Sequence, residues 1–412
     1  MEGWEHGIFM DNNKIAGGDN KTASIDNKIA DLNVLYDAFR ASLKGSAWKE
    51  EPQKFETDFL SEIVKLKQEL ETREYKTMPG SEFTLNERGK IRHIHGGRMR
   101  DRVVRHALCD TVLDKALQPY LIYNNSASQK GKGVSFARRM FERDLHNYWL
   151  EHRSNDGYVG FVDFSKFYDN IRHDKVKEMV LPKVDEFSGW LFGQIVDTFQ
   201  IDVSYMGDEE YAECMNCRFD SVKYQEQVPE GLRTGQKFMA KSVDIGDQVS
   251  QDIGIFYPVQ IDNYAKIVRG VKMYGRYMDD VYIIGETKEY VASVIRGIAE
   301  RANRLGIFIN ERKTSIVKLS QPFKYLQIKY RLSDSGKVIK RINPKSVMRE
   351  RRKLKAYKRL FDKGNMEYGE IEQAYKSWMG SHVPIMSKIQ VKNMKQLYRD
   401  LFGKEPKWKK QK

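Results

Sequence analysis

The sequence predicts a mixed α+β fold. Three observations point there: segments with apolar residues at helical spacing, short apolar runs that end in aspartate, and paired strand patterns around polar turns. The chain has 412 residues, 40% hydrophobic and 12% aromatic. That length is ample for a core without disulfides and suggests two or three domains, or one multi-lobed body. It excludes wholesale disorder, a collagen-like chain and a small disulfide scaffold. Three cysteines give no disulfide framework and fit a reducing compartment. The opening MEGWEHGIFMDNNKIAGGDNK lacks the basic and apolar regions of a secretory signal. No apolar run reaches the ~18 residues of a membrane span. The expected location is the cytoplasm.

Residues 1 to about 28 are polar and predict a loose arm. Leu32, Leu35, Tyr36 and Phe39, then Phe55, Phe59, Ile63, Leu66 and Leu70, predict two amphipathic helices. Phe83, Leu85, Ile91 and Ile94 flank Asn86-Glu87-Arg88-Gly89 as a hairpin, and a helix carrying Val103, Val104, Ala107, Leu108 and Val112 follows. Residues 158–164, YVGFVDF, read as a buried strand ending at Asp163. Residues 273–284, MYGRYMDDVYII, read as two strands around a tight Asp-Asp turn. Val291, Val294, Ile295 and Ile298 mark one face of a helix over 288–305. Residues 325–330 and the Gly336 turn form another hairpin. Asn343-Pro344 then opens a basic helix, with Asn as cap and Pro at the first position. Tyr375, Trp378 and Met379 lie on a last helix, packed on its core face.

The charge is unevenly placed. From residue 331 onward there are 23 Lys and Arg against 8 Asp and Glu, whereas the preceding chain holds 48 against 49. A local cluster, Arg88, Lys90, Arg92, Arg98, Arg100, Arg102 and Arg105, meets only Asp101. Each could be a solvated face. Two basic surfaces around a carboxylate-rich middle favour a polyanion held from two sides, since phosphate neutralisation with counterion release dominates nucleic-acid affinity.

Asp163 in FVDFSKFYDNI and Asp279-Asp280 in YMDD each stand at the end of an apolar strand, where an unpaired carboxylate is costly. Brought together by a shared sheet they would bind cations. Hard oxygen ligands select Mg²⁺, and two such ions can activate a 3′-hydroxyl and stabilise a leaving pyrophosphate.

The order and spacing of these blocks resemble a reverse transcriptase, and YMDD is a specific signature of that family. The resemblance implies a right-hand polymerase with fingers, an antiparallel palm sheet and a helical thumb. It implies an N-terminal arm and helices at 1–70, fingers at 71–157, palm at 158–330 and a basic helical thumb with tail at 331–412. It further implies Asp163, Asp279 and Asp280 as catalytic metal ligands for two Mg²⁺ ions, with Mn²⁺ as the alternative, and Lys313 as a general acid near the pyrophosphate. Lys90 and Arg92 match the cations that clamp the triphosphate, Phe164 lies beside the first ligand, and Tyr168 matches the aromatic that rejects a 2′-hydroxyl, so the substrates would be dNTPs. Arg98, Arg100, Lys130 and Lys132 would meet nucleic acid from the fingers, Tyr325, Leu326 and Gln327 in FKYLQ from a primer grip, and Arg349 and Arg352 from the thumb. The partners would be an RNA template and its DNA product, with no membrane.

Where such enzymes commonly read Gln-Gly-x-x-x-Ser-Pro, this chain has Ile245-Gly246-Asp247-Gln248-Val249-Ser250-Gln251, with Ile245, Gly246 and Gln251 near the nucleotide. That form, with DRVVRHAL at 101–108 and SASQKGKG at 126–133, resembles prokaryotic enzymes of the defence-associated and abortive-infection groups and of diversity-generating retroelements. The resemblance implies a dedicated non-coding RNA template and antiphage defence, with diversification or protein-primed, template-independent synthesis as alternatives. The expected tail leaves no room for a nuclease domain. Residues of about 195–243 read as an insertion with no assigned role. Its Cys214-Met215-Asn216-Cys217 could be a zinc half-site, but ordinary thiols are favoured because no histidine is near. Asp169 and Asp174 read as capping or surface carboxylates.

Overall fold

The computed structural model describes residues 28–87, 90–199 and 201–406. Nearly all of the polar arm, and Arg88 and Gly89 of the first hairpin turn, lie outside these. The α+β class is as expected, built around one antiparallel sheet. Helices Leu32–Leu43, Glu50–Thr57 and Phe59–Glu71 come first. The apolar stripe read as one helix over 55–70 is divided, because Asp58 leaves helical dihedrals (φ −113°, ψ 21°) and the Thr57 hydroxyl donates back to the Gln53 carbonyl at 3.0 Å. Leu35, Phe39, Ile63 and Leu66 pack with Val103 and Val104 of helix Met99–Leu108 in the main core. Residues 28–71 are thus a layer of the body.

Strands β1 (Ser81–Glu87) and β2 (Lys90–Gly96) form the expected hairpin, with Phe83 opposite Ile94 and Leu85 opposite Arg92. Phe83, Leu85 and Ile91 stay about half exposed, so it stands away from the core. Helix Val134–His152 leads into β3 (Tyr158–Ser165). Helix Glu186–Asp197 buries Leu191, Phe192, Ile195 and Val196 in the main core, so the insertion begins only after Phe199. It comprises β4 (Ile201–Asp202), helices Asp208–Asn216 and Ser221–Gln227, and β5 (Phe238–Met239), around its own core of Ile201, Val203, Met206, Phe219 and Met239. Strands β6 (Tyr274–Tyr277) and β7 (Asp280–Gly285), helix Lys288–Leu305, β8 (Phe308–Ile309) and β9 (Ser315–Lys318) follow.

The central sheet runs β6-β7-β3-β8, with β9 pairing the first half of β3 on the same side as β8. Strand β3 is therefore covered on both edges. Its residues alternate between two cores. Val162 and Phe164 join the main core with helix Lys288–Leu305, and a Cβ at Gly160 would lie 2.6 Å from Val291, so only glycine permits that approach. Val159 and Phe161 face the second core, made with Tyr282, Ile284, helix Val134–His152 and the meander β10 (Phe323–Tyr325), β11 (Ile328–Leu332) and β12 (Val338–Ile342).

The meander extends to Ile342, so the helical C-terminal unit starts at Asn343 and not at 331. Asn343 caps helix Pro344–Asp362 by accepting from the Lys345 N–H at 3.1 Å. With helices Tyr368–His382 and Lys388–Phe402 it encloses Leu354, Ile371, Tyr375, Met379, Met394 and Tyr398. Trp378 stacks on His382 at the edge of that core.

Candidate functional site

Strands β3 and β7 pair with Asp163 directly opposite Asp280. Opposed residues of an antiparallel pair share a face, so these carboxylates stand on the side of Val159, Phe161 and Tyr282, just past the last apolar layer. Lys313 Nζ donates to both oxygens of Asp163 at 3.0 and 2.8 Å. It is placed there because the Asn310 N–H donates to the Asp163 carbonyl at 2.7 Å and the Lys313 N–H to the Asn310 carbonyl at 3.0 Å.

The turn between β6 and β7 is Met278-Asp279, not Asp-Asp: Asp280 already pairs with Tyr277 in the ladder. Met278 has φ 53°, the left-handed region that costs a non-glycine residue about 1–3 kcal/mol. Arg276, buried and invisible as a functional residue in the sequence, holds it. Its guanidinium donates to the Met278 carbonyl at 3.1 Å, to the Ile255 carbonyl at 2.7 Å and to Asp262 Oδ2 at 2.7 Å, and Tyr274 Oη donates to Asp262 Oδ1 at 2.7 Å. Both members of the ion pair are fully buried. Asp279 is presented at the tip of a turn fixed from behind.

Burial, with the nearby charges of Asp279 and Asp163, pushes Asp280 up to about 7. The donor set suits a divalent cation: three hard carboxylates close together on adjacent strands and their turn, one of them kept less acidic by burial and by its neighbours. Among the described residues no three His, Cys, Asp or Glu side chains are already arranged as a coordination shell. The Lys313 ammonium pairs with Asp163.

Asp279, Asp280 and Lys313 line a cleft of about 900 Å³ with Arg92, Tyr168, Ile245 and several residues of the insertion, and Asp163 reaches it through its contact with Lys313. Tyr168 lies on its floor under Gly254 and Met278, where a Cβ at 254 would come 3.0 Å from the phenol oxygen. Burial, then Asp279, pushes Tyr168 up to about 12. Phe164 is 2% exposed and belongs to the core, so it reaches the cleft only by its edge. The side chain of Lys90 lies outside the described residues. Asp169 is buried and accepts from the Ser221 N–H, and Asp174 pairs with Arg172.

A second cleft of about 1010 Å³ adjoins the first through His95 and Ile245. Gly246 and Gln251 line this one, together with Arg98, Lys130 and Lys132, so the 245–251 block is a partition and only Ile245 reaches the carboxylate side. Gly246 takes φ 99° there, Gln251 accepts from the Ser128 hydroxyl, and Asp247 caps helix Gln248–Phe256 while pairing with Arg105 at 2.6 Å. Lys132 donates to the Tyr123 and Asn125 carbonyls and so also organises its own loop.

Two proposed nucleic-acid contacts are turned inward. Arg100 is 8% exposed and pairs with Glu69. Tyr325 is 4% exposed among Phe141, Phe161 and Tyr282, because its strand position faces the second core. Leu326 and Gln327 instead form the β10–β11 turn at φ 40° and 72°, with Arg138 donating to the Leu326 carbonyl at 2.6 Å. Arg349 and Arg352 are exposed on helix Pro344–Asp362, opposite its buried Glu350 and Leu354. The CxxC thiols make no metal set among the described residues; the Cys214 and Cys217 carbonyls accept from buried Lys241 at 2.9 and 2.8 Å.

Arg276→Ala leaves Asp262 buried without its partner and should cost about 3–5 kcal/mol in denaturant unfolding, while replacing both by apolar residues should recover much of that. Asp280 gives a second expectation. Its carboxyl takes up its proton more readily folded than unfolded, so the stability this confers is present near pH 4 and lost as pH rises to about 7. At pH 8, Mg²⁺ should therefore raise the thermal midpoint of the wild type, and raise that of Asp280→Asn by less.

Residues 85–330, more than half of the chain, match the family described as Reverse transcriptase (RNA-dependent DNA polymerase). No curated protein matches the chain.

Proposed function

The chain belongs to the reverse transcriptase family, and from that premise we propose that it extends a primer with dNTPs on an RNA template at the Asp163, Asp279 and Asp280 cluster. The family as a whole makes DNA from RNA with the help of divalent metal ions. The observation that carries the site assignment is the cross-strand pairing of Asp163 with Asp280, with Asp279 at the adjoining turn. In this reading the body up to about residue 157 provides the fingers, the central sheet the palm and residues 343–406 the thumb.

Asp163, Asp279 and Asp280 would hold two Mg²⁺ ions, which supply Lewis acidity at the attacking 3′-oxygen and the leaving pyrophosphate. Lys313 is held within reach of that leaving group by its contact with Asp163 and carries a proton that can be delivered to it. Tyr168 forms an unyielding floor, because Gly254 and Met278 press on its ring, and it excludes a 2′-hydroxyl by contact. Arg92 approaches from the hairpin side of the cleft. The second cleft, with Arg98, Lys130 and Lys132, suits the template strand, and the exposed Arg349 and Arg352 suit the duplex backbone.

The departure at 245–251 supports placement near prokaryotic defence-associated enzymes, with a dedicated non-coding RNA as template and antiphage immunity as the role. Sequencing RNA and DNA that co-purify with the wild type and with Asp279→Ala from cells carrying the native locus tests this. One enriched RNA, with complementary DNA only in the wild type, is the expected result.

Asp163→Asn and Asp279→Asn should each lower kcat for DNA synthesis by roughly 10³-fold or more with thermal midpoint and RNA affinity retained. Coincident loss of folding would make these residues structural. Tyr168→Ala should raise incorporation of ribonucleotides relative to dNTPs on one primer–template, and an unchanged ratio would remove its gating role.

A further inference from the structure

The insertion is joined to the very turn that follows Asp163. Asn170, fully buried, accepts from the Phe219 N–H at 2.8 Å and donates to the Phe219 carbonyl at 3.0 Å and to the Lys166 carbonyl at 2.9 Å. Asp169 accepts from the Ser221 N–H at 3.1 Å, and Lys166 pairs with Asp220 at 2.7 Å. Buried Lys241 donates to Asn170 Oδ1 at 3.3 Å as well as to the Cys214 and Cys217 carbonyls, which ties the end of helix Asp208–Asn216 to the same point. Residues 218–221 are therefore fixed relative to the catalytic strand, although they lie in a lobe with its own core.

This wiring delivers Arg218 to the cleft. Its guanidinium donates to the Ser165 hydroxyl at 3.0 Å, two residues beyond Asp163, and the side chain is otherwise exposed on the cleft wall. Its bond goes to a neutral hydroxyl, and among the described residues no carboxylate is paired with it. Asp220, the nearest acidic residue in sequence, is taken by Lys166. Lys223, on helix Ser221–Gln227, lines the same wall, and that helix packs against β2, whose Arg92 faces the cleft from the other side. Cations of the insertion and of the hairpin thus line the cleft beside the Asp279 and Asp280 carboxylates, with Glu226 and Asp244 also among its lining. That is the charge pattern a metal-bound polyphosphate requires, and a planar guanidinium is the donor best matched to phosphate oxygens.

We propose that the insertion completes the nucleotide site, with Arg218 binding the β- and γ-phosphates of the incoming dNTP and the pyrophosphate that leaves. The proposal rests on the reading of this cleft as the site of DNA synthesis. It gives residues 201–243 a role in substrate binding, where a decorative lobe or a template clamp would leave triphosphate affinity untouched.

The test uses the full chain and Arg218→Gln, which retains a donor for Ser165 while removing the charge, with Arg218→Lys as the conservative variant. On a fixed primer–template, Arg218→Gln should raise KM for dNTP about tenfold, weaken inhibition by inorganic pyrophosphate in parallel and leave primer–template Kd unchanged, with Arg218→Lys recovering part of the loss. An unchanged KM and unchanged pyrophosphate inhibition would reduce Arg218 to a staple of the insertion. Weakened primer–template binding at constant KM would make it a backbone contact and likewise overturn the proposal. Wild-type synthesis on RNA is the control for the underlying reading, whose failure is seen there alone. Calorimetric binding of Mg·dATP to wild type and Arg218→Gln decides the phosphate assignment independently of turnover, equal affinity counting against it.

Discussion

Two carboxylates directly opposite one another on adjacent strands are the constraint around which this protein is organised. Such a pair is unfavourable in an ordinary sheet, and here a third carboxylate stands at the next turn. The strands can hold that arrangement because their stability comes from elsewhere. Strand β3 is paired on both edges and buried on both faces, and the turn that presents Asp279 is locked from behind by Arg276 and Asp262. The electrostatic strain is eased by Lys313, whose ammonium donates to both oxygens of Asp163.

The surroundings of the cluster are partitioned by a few backbone devices. Gly254 lets a helix press on Tyr168, and the 245–251 block separates the carboxylate cleft from a more basic one beside it. The insertion enters the first cleft through Asn170 and Asp169, buried residues of the turn after Asp163. A segment distant in sequence and separately packed is thereby held in register with the Asp163 strand. The insertion's connections use hydrogen bonds of the buried Asn170 and Lys241, which are costly to break because the orphaned partner cannot turn to water.

Legibility in the sequence followed the kind of information each residue carries. Asp163 and Asp279-Asp280 were visible because charge at the end of an apolar run has no bland explanation, and the cap at Asn343 because its chemistry is local. Arg100 and Tyr325 were misplaced for the opposite reason. A basic cluster does not say which of its members turns inward to Glu69, and a strand motif does not say which face meets a second core. Arg276, Asn170 and Arg218 carried no signal, since each acts through partners that only folding brings near.

By itself, the sequence determined the α+β class, the order of most helices and hairpins, the carboxylates at two strand ends and the basic C-terminal helix. All of these depend on periodicity, turn chemistry and charge within a few residues. Tertiary structure decided that Asp163 faces Asp280, that the turn is Met278-Asp279, that the insertion lines the cleft and that the 245–251 block divides two clefts. Those are matters of register and of long-range hydrogen bonding, where a shift of one residue would turn every side chain to the other face.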